Sequence, residues 1–114
     1  MDLATECYRL AKLMPRSEEF RITSQLLRAA ASVPANVAEG WMRGTRKDYA
    51  RFVSIARGSL AEVETFLVLA VRTRLLPSLE AEAAMELGDR LGRQLNVLWN
   101  QLSKSTSQPP IPNP

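Results

Sequence analysis

Two carboxylates, Glu39 and Glu62, fall at the edges of apolar helical stripes on segments expected to be antiparallel neighbours. Paired carboxylates inside a helical bundle can hold metal, but that arrangement normally adds a Glu-x-x-His on two helices. The chain contains no histidine, which also removes the commonest general base. A metal-dependent bundle enzyme is therefore the weakest functional reading, and no catalytic residue, metal or cofactor is expected. The structural alternative is an internal polar row. Glu39 or Glu62 would meet Arg28, Ser32, Asn36 or Ser59, with Asn36 and Glu39 at least partly buried and hydrogen-bonded.

The remaining chemistry is sparse. Cys7 is the lone cysteine and lies on an apolar helix face, so it reads as a small core residue rather than a nucleophile. One cysteine allows no intrachain disulfide, and the chain reads as cytoplasmic. Gly58-Ser59 is no phosphate loop, because neither a preceding strand nor a Gly-Lys-Ser/Thr ending accompanies it. Within a helix such a glycine costs ~1 kcal/mol against alanine, which predicts close packing there.

A basic cluster is left: Arg43, Arg46, Lys47 and Arg51, with Asp48 as its only acidic member. It belongs to a local excess. From Trp41 to Leu76 the charge is +4, against −1 for the remainder and +3 for the whole chain. Four cations bind phosphate weakly at physiological salt, and for an isolated monomer an ordinary solvated turn is the competing reading. Repetition around an oligomer strengthens such a patch. At the other end Arg16, Arg21, Arg72 and Arg74 meet Glu18, Glu19, Glu80 and Glu82, which should largely cancel them.

Helices must position these groups. Leu3 to Met14 reads as a first helix, stopped by Pro15. A second starts near Ser17 and runs to about Arg43. On it Ile22, Leu26, Ala29, Ala30, Val33, Val37 and Gly40 share one face at ~100° per residue. Leu27, Ala38 and Trp41 make a second apolar flank, which calls for a further neighbour and marks an oligomer interface. Pro34 interrupts this helix, either as a stop and restart capped by Ser32 or as one kinked helix. The unbroken phase from Leu26 to Val37 favours the kink.

Thr45 caps a third helix reaching about Leu75, with Tyr49, Phe52, Val53, Ala56, Leu60, Val63, Leu67, Ala70 and Val71 at bundle spacing. Ser78 with Glu80 and Glu82 begins a fourth, striped by Ala84, Leu87, Leu91, Leu95, Leu98 and Leu102. The expectation is an all-α, up-down-up-down antiparallel four-helix bundle over residues 1–104, followed by a Pro-rich disordered tail at 105–114. No run approaches the ~20 apolar residues of a membrane span. The N-terminus lacks the apolar core of a signal peptide.

The stretches QLLRAAASVPANVAEGWMR and DYARFVSIARGSLAEVETFL carry a resemblance over about Leu3 to Leu102. Arg28-Ala29-Ala30, Ser32, Asn36, Ala38-Glu39-Gly40 and Arg43, then Phe52, Ile55-Ala56, Gly58-Ser59 and Glu62, are similar to a bacterial four-helix bundle family. That family comprises the large-subunit ribosomal RNA intervening-sequence proteins and the accessory variability proteins of diversity-generating retroelements. The resemblance implies a homopentamer around a central pore. For the retroelement branch it implies a basic surface that binds nucleic acid and a reverse transcriptase partner. The leading expectation is a non-enzymatic homo-oligomer that binds DNA or RNA without reading sequence. An oligomeric scaffold that binds only protein is the alternative.

Overall fold

The computed structural model describes residues 1–104, apart from the side chains of Glu19 and Phe20; the tail expected at 105–114 lies outside the described residues. Helix α1 spans Asp2–Ala11 and buries Leu3, Cys7 and Leu10, the spacing of one helical face. It ends before the expected Met14. The N–H groups of Lys12, Leu13 and Met14 turn back on the carbonyls of Arg9, Leu10 and Ala11 at 3.2, 2.9 and 3.2 Å. That tightened last turn precedes Pro15, where the helical conformation is disfavoured.

The second helix does not start at Ser17. Arg16–Glu18 forms a single 3-10 turn, Glu19–Thr23 a wider π turn, and α-helical bonding begins with α2, Ser24–Met42. Thr23 is thereby buried, with its hydroxyl donating to Met14 Sδ at 3.7 Å. Pro34 lies inside an uninterrupted α2, so the stop-and-restart reading fails. A mid-helix proline costs ~3 kcal/mol. Full burial of Leu26 and Val33 offsets that, at ~1.5–3 kcal/mol each.

Helix α3 covers Arg46–Arg72 and α4 covers Ser78–Ser103. The expected α3 stripe is the centre of the core: Val53, Ala56, Leu60, Val63, Leu67 and Ala70 are buried. α3 ends earlier than Leu75 because Arg74 takes a left-handed φ of 64°. The N–H groups of Leu75 and Leu76 then converge on the Ala70 carbonyl at 2.8 and 3.2 Å.

Pairings fix the topology. Ser32 meets Ser59, and Gly40 meets Phe52, so α2 and α3 are antiparallel. Arg57 reaches Asn96 and Glu64 lies against Gly88, so α3 and α4 are antiparallel too. Arg9 near the end of α1 bonds Glu80 near the start of α4. The result is an antiparallel four-helix bundle, 53 Å long and 21 by 18 Å across. The ten residues of α1 span only ~15 Å, against ~40 Å for the 27 of α3. The end that carries the α2–α3 turn is therefore built from three helices, not four.

Candidate nucleic-acid interface

The α2–α3 turn is set by close helix approach. A Cβ built on Gly40 would stand 2.7 Å from Phe52 Cβ and 3.3 Å from the Tyr49 carbonyl, so only glycine fits at that crossing. Gly44 follows the helix with φ +81°, the left-handed position that glycine takes without a Cβ penalty. Thr45 then turns extended, and its Oγ1 accepts the Asp48 N–H at 3.2 Å. Asp48 also places a carboxylate in the first turn of α3, against the positive end of the helix dipole.

These constraints bring Arg43, Arg46, Lys47 and Arg51 to one end of the molecule. They are not equivalent. Arg43 donates from Nε to Glu39 Oε2 at 2.9 Å, an i,i+4 pair. Its guanidinium and that of Arg51 lie 5.0 and 4.7 Å from the Phe52 ring centre. Arg46 is half-buried and donates from Nη2 to the Gln101 carbonyl at 3.2 Å, tying α3 to the C-terminal turn of α4. Lys47 and Arg51 are exposed, and neither pairs with a carboxylate among the described residues. The same contact brings the end of α4, with exposed Lys104, to this end of the bundle. Sequence reasoning missed Lys104, because only the antiparallel run of α4 returns it beside a turn some sixty residues earlier.

At the opposite end acids and bases mix, but the expected pairing forms only in part: Arg16, Arg72 and Arg74 make no ion pair with a described carboxylate. Arg21 meets Glu18 at 3.9 Å. Glu80 is taken by Arg9 at 3.1 Å, and Arg9 also holds Glu6 at 2.6 Å. The hydrogen bonds to Glu6 and then Glu80 raise the Arg9 pKa above its ordinary value.

Half of the expected polar row assembles. Ser32 Oγ and Ser59 Oγ share a hydrogen bond of 2.8 Å, and Asn36 Nδ2 donates to Ser32 Oγ and to its carbonyl, both at 2.8 Å. Asn36 is half-buried and Ser59 buried. Arg28, Glu39 and Glu62 are exposed and stand outside this cluster. The expected burial of Glu39 does not hold: its side chain is 51% exposed, and its partner is the equally open Arg43.

The helix register also separates Glu39 from Glu62. With Gly40 opposite Phe52 and Ser32 opposite Ser59, the two carboxylates sit about ten residues apart along the bundle, or ~15 Å. They cannot share an ion. Among the described residues no group of three or more His, Cys, Asp or Glu could hold a metal. Cys7 is fully buried, and that burial, with Glu6 nearby, pushes its thiol up to about 11. Gly58 departs from its expected role, since a Cβ there would meet nothing within 4 Å.

Of the expected oligomer contacts, Leu27 is half-buried while Ala38 and Trp41 are exposed. Ala38 lines an apolar groove of about 530 Å³ between α1 and α2, along with Tyr8, Ala31, Pro34 and Ala35. Trp41 stands nearer the turn, its ring 5.7 Å from that of Tyr49. No helix among the described residues is long and apolar enough to cross a membrane.

An antiparallel four-helix bundle with one strongly basic end and one end of mixed charge defines the class: an all-α bundle with a polarised surface. The chain belongs to the 23S rRNA-intervening sequence protein family, whose model matches residues 1–97. Its fold is similar to the crystal structure of a protein of unknown function from the S23 ribosomal protein family of Bacteroides thetaiotaomicron VPI-5482. The TM-score is 0.79 at 24% identity, covering 86% of this chain and 92% of that one. Among curated proteins none matches.

Proposed function

We propose that this chain is a non-enzymatic homo-oligomer that binds nucleic acid through repeated basic turns, without reading base sequence. One observation carries the reading: at the α2–α3 end Arg43, Arg46, Lys47, Arg51 and Lys104 stand against Glu39 and Asp48 alone, whereas at the other end Glu6, Glu18, Glu80 and Glu82 stand among the cations. Lys47 and Arg51 lead the contact, Arg43 acts through a pair that a phosphate can displace, and Arg46 mainly orders the turn.

Self-association supports the binding. The α1–α2 groove, with exposed Met1, Tyr8 and Ala38, is an apolar surface open to a second copy, and heterologous contacts that close make a ring. The resemblance implies a ring of five, which would carry +15 from the +3 of each chain. It also makes a reverse transcriptase the protein partner to test first, and a cytoplasmic setting fits such a partner.

The test is the double variant Lys47→Gln with Arg51→Gln, assayed against unrelated sequences over a salt series. Affinity should fall about equally for all of them, and the salt slope should flatten by roughly two. Unchanged affinity with the assembly intact would make the patch a solvated turn. The open apolar groove then favours the second reading, a protein-binding scaffold whose contacts resist salt.

A further inference from the structure

Trp41 is unusual on this surface. A large ring should be covered, yet it is 59% exposed, at the same end as the basic residues. It is not loose. Its ring meets that of Tyr49 at 5.7 Å with 75° between the planes, an edge-to-face contact. In such a contact one ring offers its edge to the other's face. The Tyr49 contact can occupy at most one of the two indole faces, and more than half of the residue stays in solvent.

The surroundings suit a base. Trp41, Thr45, Arg46, Tyr49 and Leu102 line an indentation of about 260 Å³ together with Gly40 and Gly44. The position of a Cβ on Gly44 meets nothing within 4 Å. Lys47 and Arg51 lie on the first two turns of α3 at the same end, outside the indentation, which Arg46 lines directly. An aromatic face flanked by cations is the combination that binds single strands: phosphates meet the charges while a base stacks on the ring. A duplex cannot use that face without unstacking a base, at a cost of a few kcal/mol.

We propose that Trp41 is a stacking platform for an unpaired base, so that the ligand of the basic turn is single-stranded nucleic acid. This rests on the basic-turn reading above and names its substrate class. The indole holds one base against the α2–α3 turn while Lys47 and Arg51, at the same end, hold phosphates further along the strand. Stacking is tolerant of base identity, so the platform adds preference for strand state and not for sequence.

The experiment measures binding of the full chain to three 20-nucleotide probes: a DNA single strand, its duplex, and a strand of equal length with abasic sites. The parent should prefer the single strand. Trp41→Ala should lose roughly tenfold on that probe while keeping its affinity for the other two, and Trp41→Phe should recover most of the loss. In a Trp99→Phe background, Trp41 emission should be quenched by the single strand and not by the abasic one. Equal parent affinity for all three probes, or an equal loss by Trp41→Ala on each, would sink the stacking and leave the basic turn standing. A change of assembly mass in Trp41→Ala would assign the ring to a contact between copies and overturn the proposal. Failure of the parent to bind any probe at low salt would overturn the basic-turn reading as well.

Discussion

Replacing Gly40 and Gly58 by alanine, one at a time, isolates helix packing from helix propensity. Both glycines lie inside long helices, so each replacement gains the same ~1 kcal/mol of propensity. Their surroundings are opposite. At Gly40 the new methyl would sit 2.7 Å from Phe52 Cβ, 3.1 Å from Tyr49 Cδ1 and 3.3 Å from the Tyr49 carbonyl oxygen. The carbonyl is backbone, so relief requires α3 to move away from α2. Overpacking of this kind costs ~2–3 kcal/mol, which leaves a net loss of ~1–2 kcal/mol. At Gly58 nothing lies within 4 Å, so the full propensity gain of ~1 kcal/mol remains. The two variants should therefore differ by ~2–3 kcal/mol with opposite signs, or about 10 °C in melting temperature at roughly 4 °C per kcal/mol. Urea and thermal unfolding at several protein concentrations measure this. Equal stabilisation by the two would refute the close α2–α3 crossing. A loss at Gly58 that appears and grows as protein concentration rises would place a second chain over it.

Ser32→Ala should cost ~1–3 kcal/mol, because it strands the buried Ser59 hydroxyl and leaves the Asn36 amide only the Ser32 carbonyl. Adding Ser59→Ala should cost little more, and additive losses in that double-mutant cycle would deny the network. Arg74→Gly should raise stability by ~0.5–1 kcal/mol, since φ 64° strains a residue with a Cβ; a lower melting temperature would contradict that geometry. Burial, and then the charge of Asp89, raises the Glu64 pKa. An acid whose pKa is raised on folding loses stability when ionised, and that penalty disappears as pH falls through its folded pKa. Glu64→Gln should thus unfold at higher urea than the parent at neutral pH, with the gap closing in acid; a gap that is constant across pH would remove the carboxylate as its cause.

Much of the fold was legible because it depends on local period. The α3 stripe from Val53 to Ala70, the buried Cys7 and the turn at Gly44-Thr45 follow from spacing and backbone preference, which neighbours in sequence largely settle. The basic cluster was legible for the same reason, since four of its members lie within nine residues. The start of α2 was not, because a 3-10 and a π turn over Arg16–Thr23 answer to packing of Thr23 beneath α1 rather than to capping signals.

What the sequence by itself determined was helix phase: which residues share a face, and therefore that four helices had a core to bury. Phase does not say which neighbour covers a flank or how far along it that neighbour reaches. Tertiary structure decided that α1 covers only part of α2, leaving Trp41 beyond it and exposed, and that Glu39 lies open beside Arg43. It decided that Gly40 admits a backbone while Gly58 faces space, two glycines alike in sequence context. It also set the register that puts Glu39 and Glu62 ~15 Å apart and brings Arg46 to a carbonyl of α4. Each of these depends on the distance between residues remote in the chain, which packing of the whole bundle sets and no local pattern encodes.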